Sequence, residues 1–235
     1  MQNRYAGDIG DFIKYGLLRA IAPNTTIGVA WYLFPDEGHN EDGRHTAYLQ
    51  APEKWRNRDP ALFDSLKDIV ARERRSVSAI EASGTLGDAR FASEILDFPL
   101  GDLQERRRCR RQWFARTLKA LQGCRVVFAD PDNGLCEDDN FSYGRVASWK
   151  RLPLSEARAL AEGRTAVLYH HNTRRKGGHA LEIDYWVERL GEATRALRWR
   201  AFSNRTFFIV NPSPCISARL ESFAKDWAPE ASLHN

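Results

Sequence analysis

Two carboxylates and an amide follow a short apolar run near the middle of the chain. Residues 126–129 have the composition of a buried strand, and Asp130, Asp132 and Asn133 come directly after it, with Pro131 between the two acids. Pro131 fixes its own φ angle and favours an extended conformation at Asp130, which aims that carboxylate outward. Open α/β sheets place their sites at the carboxyl ends of strands, so we predict a site here. A surface turn that is polar for ordinary reasons is the alternative interpretation.

Three more polar segments are expected to meet this turn if all the strands are parallel. They supply candidates for a general base, a proton donor, an amide that reads a base edge and a hydroxyl that holds a phosphate: Asp36, Glu37, His170, Asn211 and Ser213. Since His170 and His171 are adjacent on a predicted strand, their side chains point to opposite faces. At most one of them is therefore expected in the site, and a structural histidine is an equally good interpretation.

The N-terminal segment has two acidic residues immediately before a predicted helix. Either Asp8 or Asp11 explains an N-cap, because a carboxylate there accepts from free backbone N–H groups and complements the helix dipole. A cap accounts for only one of the acids and for neither Tyr5 nor Lys14. We therefore assign Tyr5, Asp8 and Lys14 to substrate binding.

Positive charge is unevenly distributed along the chain, whose formal net charge is +4. Six arginines against one acid lie between residues 104 and 116, and more cations lie at 174–176 and 198–205. A guanidinium donates two parallel hydrogen bonds to phosphate, which favours arginine for such contacts. Each cluster alone is typical of a solvated surface, but together they predict a nucleic-acid partner, with DNA favoured. No protein partner is implied.

The apolar periodicity predicts helices alternating with strands. Helices are expected at 11–22, 61–74, 89–96, 109–122, 154–162, 180–192 and from 216, and strands at 27–34, 76–80, 126–130, 165–170, 198–203 and 206–210. This alternation predicts an α/β fold, with a largely parallel sheet and helices on both faces. The connection at 204–205 is too short for a crossover helix, so a C-terminal antiparallel hairpin is expected.

The composition fits one α/β domain over residues 1–235, because 43% of the residues are hydrophobic. The four cysteines lack the spacing of a zinc site or a disulfide framework, which indicates reduced thiols. No apolar run approaches the roughly 20 residues of a membrane span. We therefore expect a soluble cytoplasmic protein with no membrane partner.

Three segments resemble motifs of the bacterial ribosomal-RNA adenine-N6 methyltransferases. Residues 4–18 resemble their His-Ala-Gly-Asn opening, residues 130–133 take the place of their Asp-Pro-Pro-Tyr motif, and residues 208–212 resemble their closing Val-Ile-Asn-Pro-Pro strand. The resemblance implies a Rossmann-like, methyltransferase-like sheet and S-adenosylmethionine as cofactor. In place of the family's glycine-rich turn this chain has residues 34–40, and Asn133 replaces the aromatic that stacks on adenine.

A second resemblance is to the uracil-DNA glycosylases. Residues 126–134 resemble their Gly-Gln-Asp-Pro-Tyr-His-Gly motif, and residues 211–217 resemble their His-Pro-Ser-Pro-Leu-Ser loop. Here Asp132 replaces the tyrosine and Asn211 the histidine. The resemblance implies a base that is extruded into a pocket, and the replacements imply a modified base, such as those that protect phage DNA.

Our leading hypothesis is a cofactor-independent DNA glycosylase that hydrolyses the N-glycosidic bond of a modified base. A carboxylate would stabilise the oxocarbenium-like sugar and orient water. The predicted catalytic residues are Asp130, Asp132, Asp36, Glu37 and His170. The predicted substrate-binding residues are Asn133, Tyr5, Asp8, Lys14, Asn211, Ser213, Arg110, Arg111, Arg174 and Arg175.

Three alternatives remain open at this point. One is an S-adenosylmethionine-dependent adenine-N6 methyltransferase on RNA or DNA, and another is a non-catalytic nucleic-acid-binding protein. The third is a metal-dependent nuclease, because carboxylates can hold Mg²⁺, although no spacing requires it. Its candidate ligands are Asp8, Asp11, Asp36, Glu37 and Asp42.

Overall fold

A seven-stranded sheet lies at the centre of the computed structural model, which describes residues 1–38, 43, 45–72, 75–99 and 101–234. In chain order the strands are β1 (Ile27–Ala30), β2 (Arg90–Ala92), β3 (Val126–Ala129), β4 (Leu135–Cys136), β5 (Leu152–Pro153), β6 (Thr165–His171), β7 (Arg195–Trp199), β8 (Arg205–Val210) and β9 (Ala231–Leu233). Strands β4 and β5 form a separate parallel pair, and the others are ordered β2-β1-β3-β6-β8-β7-β9.

Strand direction divides this sheet into two parts. Strands β2, β1, β3 and β6 are mutually parallel, whereas β8 is antiparallel to β6, β7 to β8, and β9 to β7. Strand β8 is thus inserted between two strands, β6 and β7, that run in the same direction. The predicted α/β class, mostly parallel sheet and C-terminal antiparallel hairpin are confirmed, and the architecture is consistent with a Rossmann-like fold.

Helices cover both faces of the sheet. They are α1 (Ile9–Ile21), α2 (Pro52–Trp55), α3 (Pro60–Ala71), α4 (Val77–Ala82), α5 (Leu103–Ala120), α6 (Val146–Trp149), α7 (Leu154–Ala161), α8 (Gly178–Leu190) and α9 (Pro214–Asp226). Helices α1, α3, α4 and α9 pack on one face, and α5, α7 and α8 on the other. Within the described ranges, none of the helices is both long and apolar enough to cross a membrane.

The central strands are apolar on both faces, because each face is covered by helices. In β3, Val126 and Phe128 pack toward α1 while Val127 and Ala129 pack toward α5, and all four residues are buried. This alternation follows from the two-residue period of a strand. It leaves the polar residues after β3 at the edge of the sheet.

Two of the predicted elements have the wrong type. Residues 77–80 lie in α4 rather than in a strand, since the Ser76 hydroxyl accepts from Ala79 N at 3.1 Å and caps the helix. Residues 89–96 contain β2 rather than a helix, because pairing with β1 overrides their local preference. Short apolar runs contain too few repeats of the hydrophobic pattern to distinguish a helix from a strand.

The hairpin is also displaced from its predicted register. Residues 200–204, and not 204–205, connect β7 to β8, and Arg205 is the first residue of β8. Phe202 adopts a positive φ of 65° within this connection. As a result Arg205 is held in the sheet, at the edge where β1, β3 and β6 end.

Candidate functional site

A cavity of about 600 Å³ lies at the carboxyl ends of β1, β3 and β6, within the size range of small-molecule sites. It is lined by the start of α1, the turn after β3, helix α6, the end of β6 and the start of β8. Of the predicted site residues, it brings together Tyr5, Asp8, Lys14, Glu37, Asp130, Asp132 and Asn133. These residues come from three distant parts of the chain.

A buried ion-pair cluster forms the floor of this cavity. Lys14 Nζ lies 2.9 Å from Asp130 Oδ2 and 3.4 Å from Asp11 Oδ1, and 4.8 Å from the centre of the Tyr169 ring. Burial opposes the charge of Lys14, but Asp130 and Asp11 together raise its pKa above the usual value. Lys14 is therefore a buried ammonium held beside the Asp130 carboxyl group at the end of β3.

Asp11, the other carboxyl partner of Lys14, has a strongly raised pKa. Burial raises the pKa of Asp11 to about 7, against the opposing effect of Lys14 and with further support from Asp8 and Asp130. Its Oδ2 accepts from Gly7 N at 3.0 Å, so the carboxyl also fixes the turn before α1. The cluster thus combines one ammonium with two carboxyl groups, of which one titrates near neutrality.

Asp132 is the more accessible of the two acids after β3. Its side chain is 12% exposed, compared with 2% for Asp130. Gln2 Nε2 donates to Asp132 Oδ2 at 2.8 Å, and Lys150 Nζ lies 3.9 Å from the same oxygen. Lys150 also pairs with Glu37, which places a second cation at the rim of the cavity.

The Asn133 side chain is anchored to α6. Its Nδ2 donates to Ala147 O at 3.1 Å, while its backbone N donates to Lys150 O at 3.0 Å. One of the two amide N–H groups is engaged in this way, which leaves the other N–H and the amide oxygen for a ligand.

Arg205 contributes a buried guanidinium that the sequence pattern does not place in the site. It is 6% exposed and lines the cavity, and its Nε and Nη1 have no hydrogen-bond partner within the described structure. Burial opposes its charge, but Tyr169, Asp8 and Asp11 raise its pKa. A charged residue at the start of the mostly apolar strand β8 is the local signal that could have drawn attention to it.

The prediction that His170 lies in the site is wrong. His170 is buried on the opposite face of β6, where Nδ1 accepts from Leu135 N at 3.0 Å and Nε2 lies 3.2 Å from Glu182 Oε1. Burial lowers the pKa of His170 despite the nearby Glu182 carboxylate. His171 instead lines the cavity, as the alternation of side chains along a strand allows.

The prediction that Asn211 and Ser213 lie at the same edge is also wrong. Since β8 is antiparallel to β6, it ends at the opposite edge, where Asn211 O accepts from the Thr165 hydroxyl at 2.8 Å. Ser213 caps α9 by accepting from Ile216 N. Both residues line a separate groove of about 1100 Å³ at the amino ends of the strands.

Arg110, predicted to contact phosphate, is instead a structural residue. It is 1% exposed, donates to both Glu156 carboxylate oxygens at 2.8 Å and to Trp149 O at 2.7 Å, and so joins α5, α6 and α7. A guanidinium enclosed in this way has no face left for a nucleic acid. Local sequence does not distinguish it from its exposed neighbours in the same arginine run.

The remaining predicted residues lie outside the cavity lining. Asp36 is exposed and accepts from Arg4 N at 3.3 Å. Arg111, Arg174 and Arg175 are exposed, and Arg175 stacks 3.7 Å from the centre of the Tyr185 ring. These three arginines are surface cations rather than pocket residues.

Metal ligation receives no support from the part of the chain that is described. There, no three His, Cys, Asp or Glu side chains are grouped as a metal site requires. Asp42, one of the candidate magnesium ligands, lies outside the described residues.

Comparison with known proteins provides no assignment. None of the protein-family models matches the chain, and none of the curated proteins is significantly similar to it.

Proposed function

We propose that this chain is a cytoplasmic DNA glycosylase that releases a modified base by hydrolysis and needs no cofactor. The observation that carries the proposal is the pair Asp130 and Asp132, which line one cavity together with buried cations. N-glycosidic cleavage develops positive charge on the sugar, and carboxylates at a strand end stabilise such charge. A modified base of phage DNA is the substrate class, and defence against phages is the corresponding role.

The two acids have different tasks in this proposal. Asp130, which is paired with Lys14, faces the sugar and stabilises the oxocarbenium-like state. Asp132, which solvent reaches, accepts a proton from the attacking water as the new oxygen–C1′ bond forms. The electron pair of the broken C1′–N bond leaves with the base, and Lys150 and His171 line the cavity where that negative charge develops.

Exposed cations beside the cavity support a polyanionic substrate. Arg107 and Arg111 lie four residues apart on α5, on one helix face, and both are exposed. Arg107 stacks 5.4 Å from the centre of the Tyr143 ring, shortly before the cavity-lining residues of α6. This surface can hold DNA phosphates while a nucleotide enters the cavity.

The methyltransferase is the second candidate, because the parallel strands are followed by an antiparallel C-terminal hairpin, which fits the methyltransferase-like sheet that the resemblance implies. The space between the carboxyl ends of β1 and β3, where the resemblance implies S-adenosylmethionine, does not fit that cofactor. Met1 N donates to Tyr32 O at 3.1 Å and to Asp130 O at 3.0 Å, and Met1 O accepts from Phe34 N. Met1 thus occupies the place where a glycine-rich turn would admit the cofactor.

Base release from defined DNA tests the proposal. The protein is incubated with unmodified and phage-modified DNA, with and without S-adenosylmethionine, and free bases, abasic sites and methylated bases are measured by mass spectrometry. Free base without cofactor is the expected result, and Asp130→Asn should abolish it while DNA affinity is retained. Methylated bases that depend on the cofactor, or DNA binding without any product, would replace the glycosylase with one of the alternatives.

A further inference from the structure

The Arg205 guanidinium has unused hydrogen-bond donors in a buried position. Only 6% of the residue is exposed, and Nε and Nη1 have no partner in the part of the chain that is described. Burying a cation costs free energy unless its donors are satisfied. Because the residue lines the cavity after β3, a ligand in that cavity can supply the missing acceptors.

The first turn of α1 lies directly beside this guanidinium. Gly10, the second residue of α1, also lines the cavity, and a Cβ atom placed on it would lie 2.6 Å from Arg205 Nη1. The absence of a side chain therefore leaves room for the guanidinium at the helix start. The backbone donors of this turn are already engaged, because Asp11 N donates to the Asp8 carboxylate, so the guanidinium is the donor that remains for a ligand.

The neighbouring carboxylates do not neutralise Arg205 by direct pairing. Asp8 Oδ1 accepts from Asp11 N at 3.1 Å as the N-cap of α1. Asp11 and Asp130 are bound to Lys14. The unused donors of Arg205 are thus available to a group from outside the chain.

We propose that Arg205, beside the first turn of α1, binds a phosphate group of the DNA backbone next to the extruded nucleotide. The guanidinium offers two donors, Nε and Nη1, to two phosphate oxygens. That the phosphate belongs to DNA rests on the proposed glycosylase function. The presence of an oxyanion site at Arg205 does not depend on that function. Free phosphate has the same chemistry and is the other source to be distinguished.

Calorimetric titration with inorganic phosphate tests the site directly. The wild type should bind phosphate, and Arg205→Met should weaken this binding about tenfold or more, as expected for the loss of charge-assisted hydrogen bonds. Arg195→Met is the matched control, because Arg195 lies at the opposite end of β7 and pairs with Glu221. Equal phosphate affinity in the wild type and Arg205→Met would overturn the proposal.

Gly10→Ala provides a test that keeps the arginine. Alanine favours the helix, and its methyl group would displace the guanidinium, which is the flexible end of a side chain. Phosphate binding should fall in this variant too, and circular dichroism checks that it folds, because the methyl group also lies 2.8 Å from the capping oxygen Asp8 Oδ1. If Arg205→Met fails to fold, unchanged phosphate binding in Gly10→Ala overturns the proposal by itself.

Competition with DNA distinguishes the two sources of phosphate. Inorganic phosphate should displace a short DNA duplex from the wild type more effectively than sodium chloride of equal ionic strength does, and Arg205→Met should lose this difference. Phosphate that binds at Arg205 without displacing DNA would overturn the assignment to the DNA backbone. If phosphate binding depends on Arg205 but no base is released from any DNA, the site stands and the glycosylase proposal fails.

Discussion

Lys14 Nζ lies 2.9 Å from Asp130 Oδ2 and so joins the first helix to the end of β3, 116 residues further along the chain. Both side chains are less than one-tenth exposed. Removing one partner of a buried ion pair leaves the other charge uncompensated. The stability lost in this way exceeds the net stabilisation that the intact pair provides. The pair therefore fixes Asp130 and makes the fold depend on Lys14.

Lys14→Met should lower the free energy of unfolding by about 3–5 kcal/mol, because Asp130 and Asp11 lose their shared counter-charge. Urea denaturation followed by circular dichroism measures this. Lys119→Met is the control, since Lys119 is exposed near the end of α5 and should change stability by less than about 0.5 kcal/mol. A similarly small effect of Lys14→Met would show that the pair does not hold the two elements together.

Asp132→Asn should slow base release by about 10²–10⁴-fold, since the side chain can no longer accept a proton from water. DNA affinity and stability should be almost unchanged, because Asn retains the acceptor for Gln2 Nε2. Single-turnover kinetics give the rate, measured on the DNA from which the wild type releases a base. Asp139→Asn, which changes an exposed acid in the following loop, is the control. Wild-type rates in Asp132→Asn would remove this residue from the mechanism.

Stability should depend on pH through Asp11, whose pKa burial raises from 3.8 to about 7. Between these values the folded protein binds more protons at Asp11 than the unfolded chain does, so this residue lowers stability as the pH rises from about 4 to 7. Asp11→Asn removes the titration. We expect its stability relative to wild type to increase over this range.

Denaturation midpoints at intervals from about pH 4 to pH 8 test this, with Asp139→Asn as the control for removal of an exposed carboxylate. The quantity compared is the slope of stability against pH. A constant difference in stability, caused by changed hydrogen bonding to Lys14 or Gly7, does not affect that slope. Parallel pH profiles for wild type and Asp11→Asn would contradict a raised pKa at Asp11.

The sequence predicts the sheet better than it predicts which side chains meet. The strand before Asp130 and the site at its end follow from apolar composition and Pro131, which are local features. The exclusion of Asn211 from that site follows from the antiparallel direction of β8, which depends on pairing with distant β6. Local pattern therefore identifies the edge of the sheet but not all the strands that end there.

Two further errors concern the orientation of single side chains. Alternation requires that His170 and His171 point to opposite faces, but it does not say which face holds the cavity. Arg205 enters the cavity only because the connection from β7 ends at residue 204, a register that the turn sequence does not specify. Such choices depend on tertiary packing and need the three-dimensional structure.

DNA binding should depend on salt through the exposed arginines of α5. For each DNA phosphate that the protein no longer neutralises, the slope of log K against log salt concentration should become shallower by about 0.9. Arg107→Gln with Arg111→Gln should therefore weaken binding and reduce the slope by about 1.8 if each arginine binds one phosphate. Fluorescence anisotropy of a labelled duplex between roughly 50 and 300 mM salt, where such effects are large, measures both quantities.

The matched control is Arg195→Gln with Arg219→Gln, which changes the net charge equally. Both residues lie at the amino ends of the strands, away from the cavity after β3. If DNA crosses the sheet edge where β3 ends, this control should leave the salt slope unchanged. If instead the control reduces the slope and the α5 variant does not, DNA binds in the 1100 Å³ groove at the opposite edge, and the carboxylates after β3 are not next to the substrate.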